Sequence, residues 1–514
     1  MRRYAETEAV DAVVIGSGAG GGPLAWRLAR AGCSVVLLES GRWWTPGEDF
    51  ATDELEQDKL FWTDERLSAG DDALAFGANN SGVGVGGSTL HWTAYCPRAQ
   101  PDDMRLRTEF GVGEDWPLSH AELEPYYAQV ERFIGVSGPT PYPWGPPRKG
   151  GYPLPPLPLN TPARIMQEGC AVLGVRTAPA PNAVLSRTYW ADGVGHRSAC
   201  SNRGFCQAGC SHGAKATTEN TWIAAGLRAG LEVRDGCHAE GFELDGRGRA
   251  TGVTYRASDG SQRRQRAENV FLCAGGVESP RLLLIAGLAD TSGQVGRNFM
   301  AHPGVQLWAH FDREVRPTRG VPGGLISEDA HRPGDADFAG GYLVQSIGVM
   351  PVTYATQLAR GPGLWGPALV AHMEDFEHVA GINILGECLP SEDNRLTLSA
   401  EPDARGLPKP LISFRNGPNE EALSAHGERL MRAVFAAAGA REVWRFPRNA
   451  HTLGGCRMGA SGDRAVVDAD CRSFTTPNLW VCDNSVFPSA LSVNPALTQM
   501  ALSLRTADRF LARC

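Results

Sequence analysis

No stretch of this 514-residue chain approaches the ~18 uninterrupted apolar residues that a membrane helix needs. Excess positive charge is missing too. With 49 basic side chains against 57 acidic ones, the formal net charge is −8, which argues against a nucleic-acid polyanion as main partner. The N-terminus lacks the apolar segment of a secretory signal: MRRYAETEAVDAVVIG places acidic residues there, so a cytoplasmic location is expected. Thirteen cysteines is an odd number, and most lie inside apolar segments, which suits reduced thiols better than a disulfide framework. Internal repeats are absent. What is present, 42% apolar and 21% charged residues, describes a globular protein with a sizeable core. The length allows two to four domains, or one large α/β body with an inserted part.

Residues 10–41 read strand, glycine turn, helix, strand. Ala12-Val13-Val14-Ile15 is short, apolar and β-branched, as a strand buried on both faces should be. Gly16, Gly18 and Gly21 form G-x-G-x-x-G, and Leu24, Ala25, Leu28 and Ala29 recur at helical spacing until Gly32. A second strand, Ser34–Leu38, ends in Glu39. The glycines let the backbone approach a pyrophosphate held at the helix N-terminus, while Glu39 can accept hydrogen bonds from ribose hydroxyls. This unit binds a dinucleotide, and by itself does not separate FAD from NAD.

Further along, Ser119 and Glu122 are spaced as a capping box, and Leu123, Tyr127, Val130 and Ile134 supply the apolar stripe of the helix that follows. Residues 139–162 hold ten prolines and read as a stiff connector over the surface. Strand-like runs and one helix near 419–438 fill residues 305–445, after which glycine-rich motifs return. One domain built from separated segments, with a second inserted between them, is the organisation expected.

Four later landmarks carry chemistry. They are the glycine run Ser81–Thr89, with Gly86, Gly87 and Ser88, leading to His91-Trp92; Ala274-Gly275-Gly276 after the strand Val270–Cys273; His451–Gly459; and Asp483–Pro488, leading to Ser492-Val493-Asn494-Pro495. In this order the chain resembles the glucose–methanol–choline (GMC) oxidoreductases, FAD enzymes that oxidise alcohols and sugars, from about residue 10 to 510. The resemblance implies an α/β fold, α+β overall: a Rossmann-like FAD-binding domain (1–104, 196–304, 446–514) with an inserted antiparallel-sheet substrate domain (105–195, 305–445). It implies cofactor contacts at Gly16, Gly18, Gly21, Glu39, Gly86, Gly87, Ser88, His91, Asp483 and Asn494. It also puts the catalytic histidine at His451 and the second active-site residue at Asn494. Histidine suits the first place because its ordinary pKa lies near neutrality, so it can take a hydroxyl proton. An amide cannot be the base, but it can orient the hydroxyl and stabilise a developing alkoxide.

GGSTLHWT looks like the pyranose-oxidase version of the second landmark, in which FAD is attached through the histidine; at His91 the alternative is packing beside the flavin without a bond. Cys200, Cys206 and Cys210 resemble the loop of sugar dehydrogenases that carry a three-iron cluster and pass electrons to a cytochrome. Ala199 stands where a further cysteine is expected and Ser211 where proline follows, so reduced thiols or one disulfide stay open, and no metal ligand is assigned. His302, His372, His378 and His426 read as packed or exposed. Glu374 and Asp375 are candidates for binding sugar hydroxyls.

These features point to FAD-dependent oxidation of a CH–OH group of a sugar, glycoside or polyol, with oxygen or an electron-accepting partner protein reoxidising the flavin. A long-chain or cyclic alcohol oxidase, and a hydroxynitrile lyase with an idle flavin, are the alternatives within the family. An NAD-dependent dehydrogenase explains the first unit and none of the later landmarks.

Overall fold

The computed structural model describes residues 3–74 and 81–513. The strand Val10–Ile15 lies at the centre of a largely parallel sheet, between Val35–Leu38 and Gln262–Leu272. Glu232–Arg234 extends the sheet on one side, and Leu479–Val481 pairs in parallel with the end of Gln262–Leu272. Val13 aligns with Val36 and Val270, so β-branched and aliphatic side chains fill both faces, which is why these strands read as continuous apolar runs. The helices Gly21–Arg30 and Ala496–Leu511 pack together, tied by Arg27 Nε donating to Asp508 Oδ1 at 2.7 Å.

A second, six-stranded sheet is antiparallel throughout: Glu442–Leu453, Met300–His310, Val379–Gly386, Tyr342–Ile347, Leu325–Ser327 and Ala178–Pro179, in that order. Val305, Leu307, Ala309, Val344, Ile382 and Ile384 bury one face against the helices Thr161–Val172 and Pro418–Ala437. Gln306, Trp308, Gln345, Ile347 and Phe446 point the other way, into a large cavity. This is the Rossmann-like body with an antiparallel-sheet second part that the resemblance implied. The divisions drawn at 304/305 and 445/446 fall inside the strands Met300–His310 and Glu442–Leu453, because Pro303 sits within its strand rather than ending it. The division at 195/196 likewise cuts the hairpin Tyr189–Ala191/Gly195–Arg197.

The helix announced by Ser119 is His120–Ile134; Ser119 N donates to Glu122 Oε2 at 2.9 Å and Glu122 N to Ser119 Oγ at 3.4 Å. The proline-rich connector needs correction. It does not simply run over the surface: Trp144, Tyr152 and Leu154 are buried, and residues 161–162 open a helix. Proline stiffens the path, but the aromatic side chains between the prolines carry too much apolar area to stay in water. Arg148 NH1 donates to Glu131 Oε1 at 2.8 Å, and Arg98 forks onto the same carboxylate at 2.8 and 2.7 Å, which pins the connector to the helix.

Candidate active site

A cavity of about 1280 Å³ is lined by Gly16–Gly20, Glu39, Ser88 and His91 from the first sheet's loops and by Gln306, Gln345, Arg448 and His451 from the second sheet. Ordinary small-molecule pockets measure ~300–1,000 Å³, so this one has room for a dinucleotide and a substrate together. Gly21 and Gly86 lie outside the lining and act by close approach. A Cβ on Gly21 would collide with Gly16 O, and one on Gly86, at φ +123°, would lie 2.7 Å from Leu90 Cδ2.

Two buried carboxylates stitch the landmarks together. Glu39 accepts from Ser17 N (3.1 Å) and Ser17 Oγ (2.6 Å) on one oxygen, and from Gly41 N (3.0 Å) and Gly84 N (3.3 Å) on the other. It therefore joins the first glycine loop to the second, a role the spacing did not announce. Asp483 accepts from Gly275 N (2.8 Å), Ser279 Oγ (2.5 Å) and Ser485 N (2.8 Å), fixing the Ala274–Gly276 turn against the last landmark. Burial raises both carboxyls above the usual range, against the pull of these donors.

His451 owes its aim to a β-bulge. Ala301 pairs with Thr452 and His302 with Ala450, so His451 is the extra residue, held at φ +57°. A bulge breaks the alternation of a strand and redirects a side chain, at a backbone cost that recurs at functional sites. Its Nδ1 is enclosed without a partner. His302, read from sequence as packed or exposed, lies edge-on to it with ring centroids 5.1 Å apart. Since a carbonyl only accepts, His302 Nε2 must donate to Leu491 O (3.1 Å), which leaves its Nδ1 as an unpartnered acceptor. Burial holds His302 down at about 4. Burial, then the charges of His302 and Arg448, hold His451 well below its ordinary value. The acid limb of kcat/KM is therefore expected below pH 6.5, because the base is already neutral there; a limb at or above pH 6.5 in a pH–rate series would contradict the assignment.

Asn494 is buried, with Oδ1 unpartnered, and it precedes the 16-residue helix Ala496–Leu511, whose positive end favours negative charge in the cavity. His91 closes the short helical turn Gly87–Leu90, and its Nε2 is enclosed without a partner. Burial, then the nearby Lys215 charge, lower His91 to about 3, so its imidazole is neutral. Lys215 is itself fully buried; its Nζ donates to Leu90 O (2.8 Å), Trp92 O (3.2 Å) and Cys206 O. It clamps the residues flanking His91 to the cysteine loop. Only its place after Gly213-Ala214 hinted at a role. The unpartnered atoms of His91, Asn494 and His451, together with the glycine-lined loops, fit a flavin dinucleotide.

Other candidates lie elsewhere. Glu374 and Asp375 are exposed and do not line the cavity, which corrects the sugar-binding expectation; the helix Gly366–Glu374 that leads to them has no buried residue. His378 and His426 make local contacts, with Arg313 O and with Tyr342 and Asp335 respectively. Cys200, Cys206 and Cys210 are free thiols, and Cys200 and Cys210 accept from Asn202 N and Lys215 N. Among the described residues, no group of three or more His, Cys, Asp or Glu side chains converges as a metal site. No helix among them is long and apolar enough to cross a membrane.

Comparison with known proteins gives the same direction. Residues 75–304 and 390–503 match the N- and C-terminal profiles described as GMC oxidoreductase. The chain is 30% identical to the fructose dehydrogenase large subunit of Gluconobacter japonicus, covering 98% of each chain. It is also 30% identical to 2-methyl-1,2-propanediol dehydrogenase of Mycolicibacterium austroafricanum, over 97% of this chain and 94% of that one. Among solved structures, pyridoxine 4-oxidase from Mesorbium loti shares the fold, with a TM-score of 0.66, 20% identity and coverage of 98% and 99%.

Proposed function

Since the chain belongs to the GMC oxidoreductase family, whose cofactor is FAD, we propose that its cavity oxidises a CH–OH group of a sugar, glycoside or polyol, with His451 taking the hydroxyl proton. One observation carries the reading: His451 and Asn494 each bring an enclosed, unpartnered polar atom to the same cavity. Bound FAD supplies the two-electron acceptor for the hydride. The neutral imidazole of His451 accepts the hydroxyl proton and keeps it. Asn494 orients the hydroxyl, and the helix behind it favours the charge that develops on oxygen.

An anaerobic titration with sugars, glycosides, polyols and aliphatic alcohols tests the reading. Bleaching of the flavin band by a sugar or polyol supports it, and preference for a long-chain alcohol replaces the substrate class. A flavin that only dithionite reduces favours the lyase chemistry. Reoxidation in air, against reoxidation by an added electron-carrier protein, separates oxygen from a partner protein as acceptor.

His91 is the point of covalent flavin attachment in this reading, because its neutral imidazole keeps Nε2 free and faces the cavity. Denatured wild-type protein should retain yellow fluorescence on the polypeptide, and His91→Ala should release it. Release of free FAD from the wild type would show that the bond is absent.

A further inference from the structure

Arg448 sits on the strand Glu442–Leu453, opposite Gly304, and lines the cavity three residues before His451. Of the four other arginines that line the cavity, Arg66 pairs with Glu278, Arg281 with Glu278 and Asp403, and Arg445 with Glu428, while Arg360 is exposed at the end of the helix Pro351–Arg360. Arg448 has no hydrogen-bond or ion-pair partner among the described residues. Arg448 is half-buried at the cavity wall, and its unpaired fork of five donors matches a carboxylate in two-point contact. The cofactor's pyrophosphate belongs at the Gly16–Gly21 loop of the first sheet, whereas Arg448 lies on the second sheet, three residues before His451 on the same strand.

A row of amides runs across the same sheet face. Gln306 pairs with Asn383 and Asn383 with Gln345 in adjacent strands. Gln345 Oε1 and both polar atoms of Asn383 are buried without partners. Such a row can meet several hydroxyls at once, since each amide offers both donors and an acceptor.

We propose that Arg448 is a substrate-recognition residue for a carboxylate, so that the compound oxidised at His451 is a polyhydroxy acid, its hydroxyls read by Gln306 and Gln345, with Asn383 between them behind the cavity wall. A carboxylate balances the single guanidinium, whereas a phosphate group at ~−1.5 to −2 would leave excess negative charge in the cavity. The proposal rests on the oxidoreductase reading of the cavity, but its test needs no turnover. The FAD-loaded enzyme is titrated with acetate, with acetamide and with inorganic phosphate at constant ionic strength, following the flavin absorbance.

Acetate should perturb the spectrum saturably and bind roughly 30-fold tighter than acetamide, the scale of a desolvated charge pair. Arg448→Gln should abolish that preference with FAD content unchanged, and Arg448→Lys should keep part of it. Equal binding of acetate and acetamide, or acetate binding that survives Arg448→Gln, overturns the proposal. Tighter binding of phosphate than acetate overturns the carboxylate assignment. Should Arg448→Gln fail to fold, the contrast in the wild type and in Arg448→Lys still decides. A positive acetate result beside a flavin that no alcohol or acid bleaches would instead fault the oxidation reading alone.

Discussion

Replacing His451 with alanine should lower kcat by roughly 10²–10⁴-fold while FAD stays bound, the range for losing a positioned general base. The imidazole is neutral in its buried setting, sits on a bulge with φ +57°, and has no protein partner at Nδ1. Nothing else beside it can take its place: His302 has an unpartnered Nδ1 but is fully buried and does not line the cavity, and Arg448 cannot act as a base. Stopped-flow reduction of the flavin by saturating substrate measures the step directly. A variant that reduces within tenfold of the wild-type rate would remove His451 from the mechanism.

The second large effect concerns stability. Glu387 is fully buried; its Oε1 accepts from Ala490 N (2.8 Å), Leu491 N (3.1 Å) and Cys388 N (3.2 Å), while Oε2 has no partner. Burial, then the charge of Asp103, raise it to about 8, with Arg332 opposing. A carboxyl whose pKa is raised on folding stabilises the fold fully below its ordinary value of 4.5 and loses that contribution as pH climbs to about 8. Glu387→Gln keeps a neutral group of the same shape at every pH. Wild type and variant should therefore match at the acid end, and the variant should be more stable by on the order of 4 kcal/mol above pH 8. Urea midpoints at pH 5 and pH 8.5 check this. A difference that does not change between the two pH values would mean that Glu387 is ionised in the fold. The carboxyl holds the segment that carries Leu491 and leads to Asn494, so its proton bears on the order of the active site as well.

Much of the site was legible because backbone demands leave local marks. Gly16, Gly18 and Gly21 before an apolar helix, the buried β-branched strand at Val10–Ile15, and the Ser119–Glu122 cap each depend on neighbours within a few residues. The family landmarks at His451 and Asn494 were equally local. Partnerships between residues 45 to 208 positions apart left no such mark: Glu39 with Gly84, Asp483 with Gly275, His302 beside His451, Lys215 under His91. Arg448 looked like any charged strand residue until the sheet showed it facing Gly304 with no carboxylate in reach. Glu374 and Asp375 looked like sugar ligands only because nothing in a linear reading says which way an exposed helix faces.

The sequence by itself determined that residues 10–41 form a dinucleotide-binding βαβ unit, since glycine geometry and apolar periodicity are properties of short segments, and the later motifs pointed to a flavin-dependent alcohol oxidoreductase through their resemblance to the GMC family. Tertiary structure alone decided which buried groups are left without partners, because desolvation and unmet hydrogen bonds depend on everything that packs around an atom. Those unmet groups, at His451, Asn494 and His91, are where the proposed chemistry is placed.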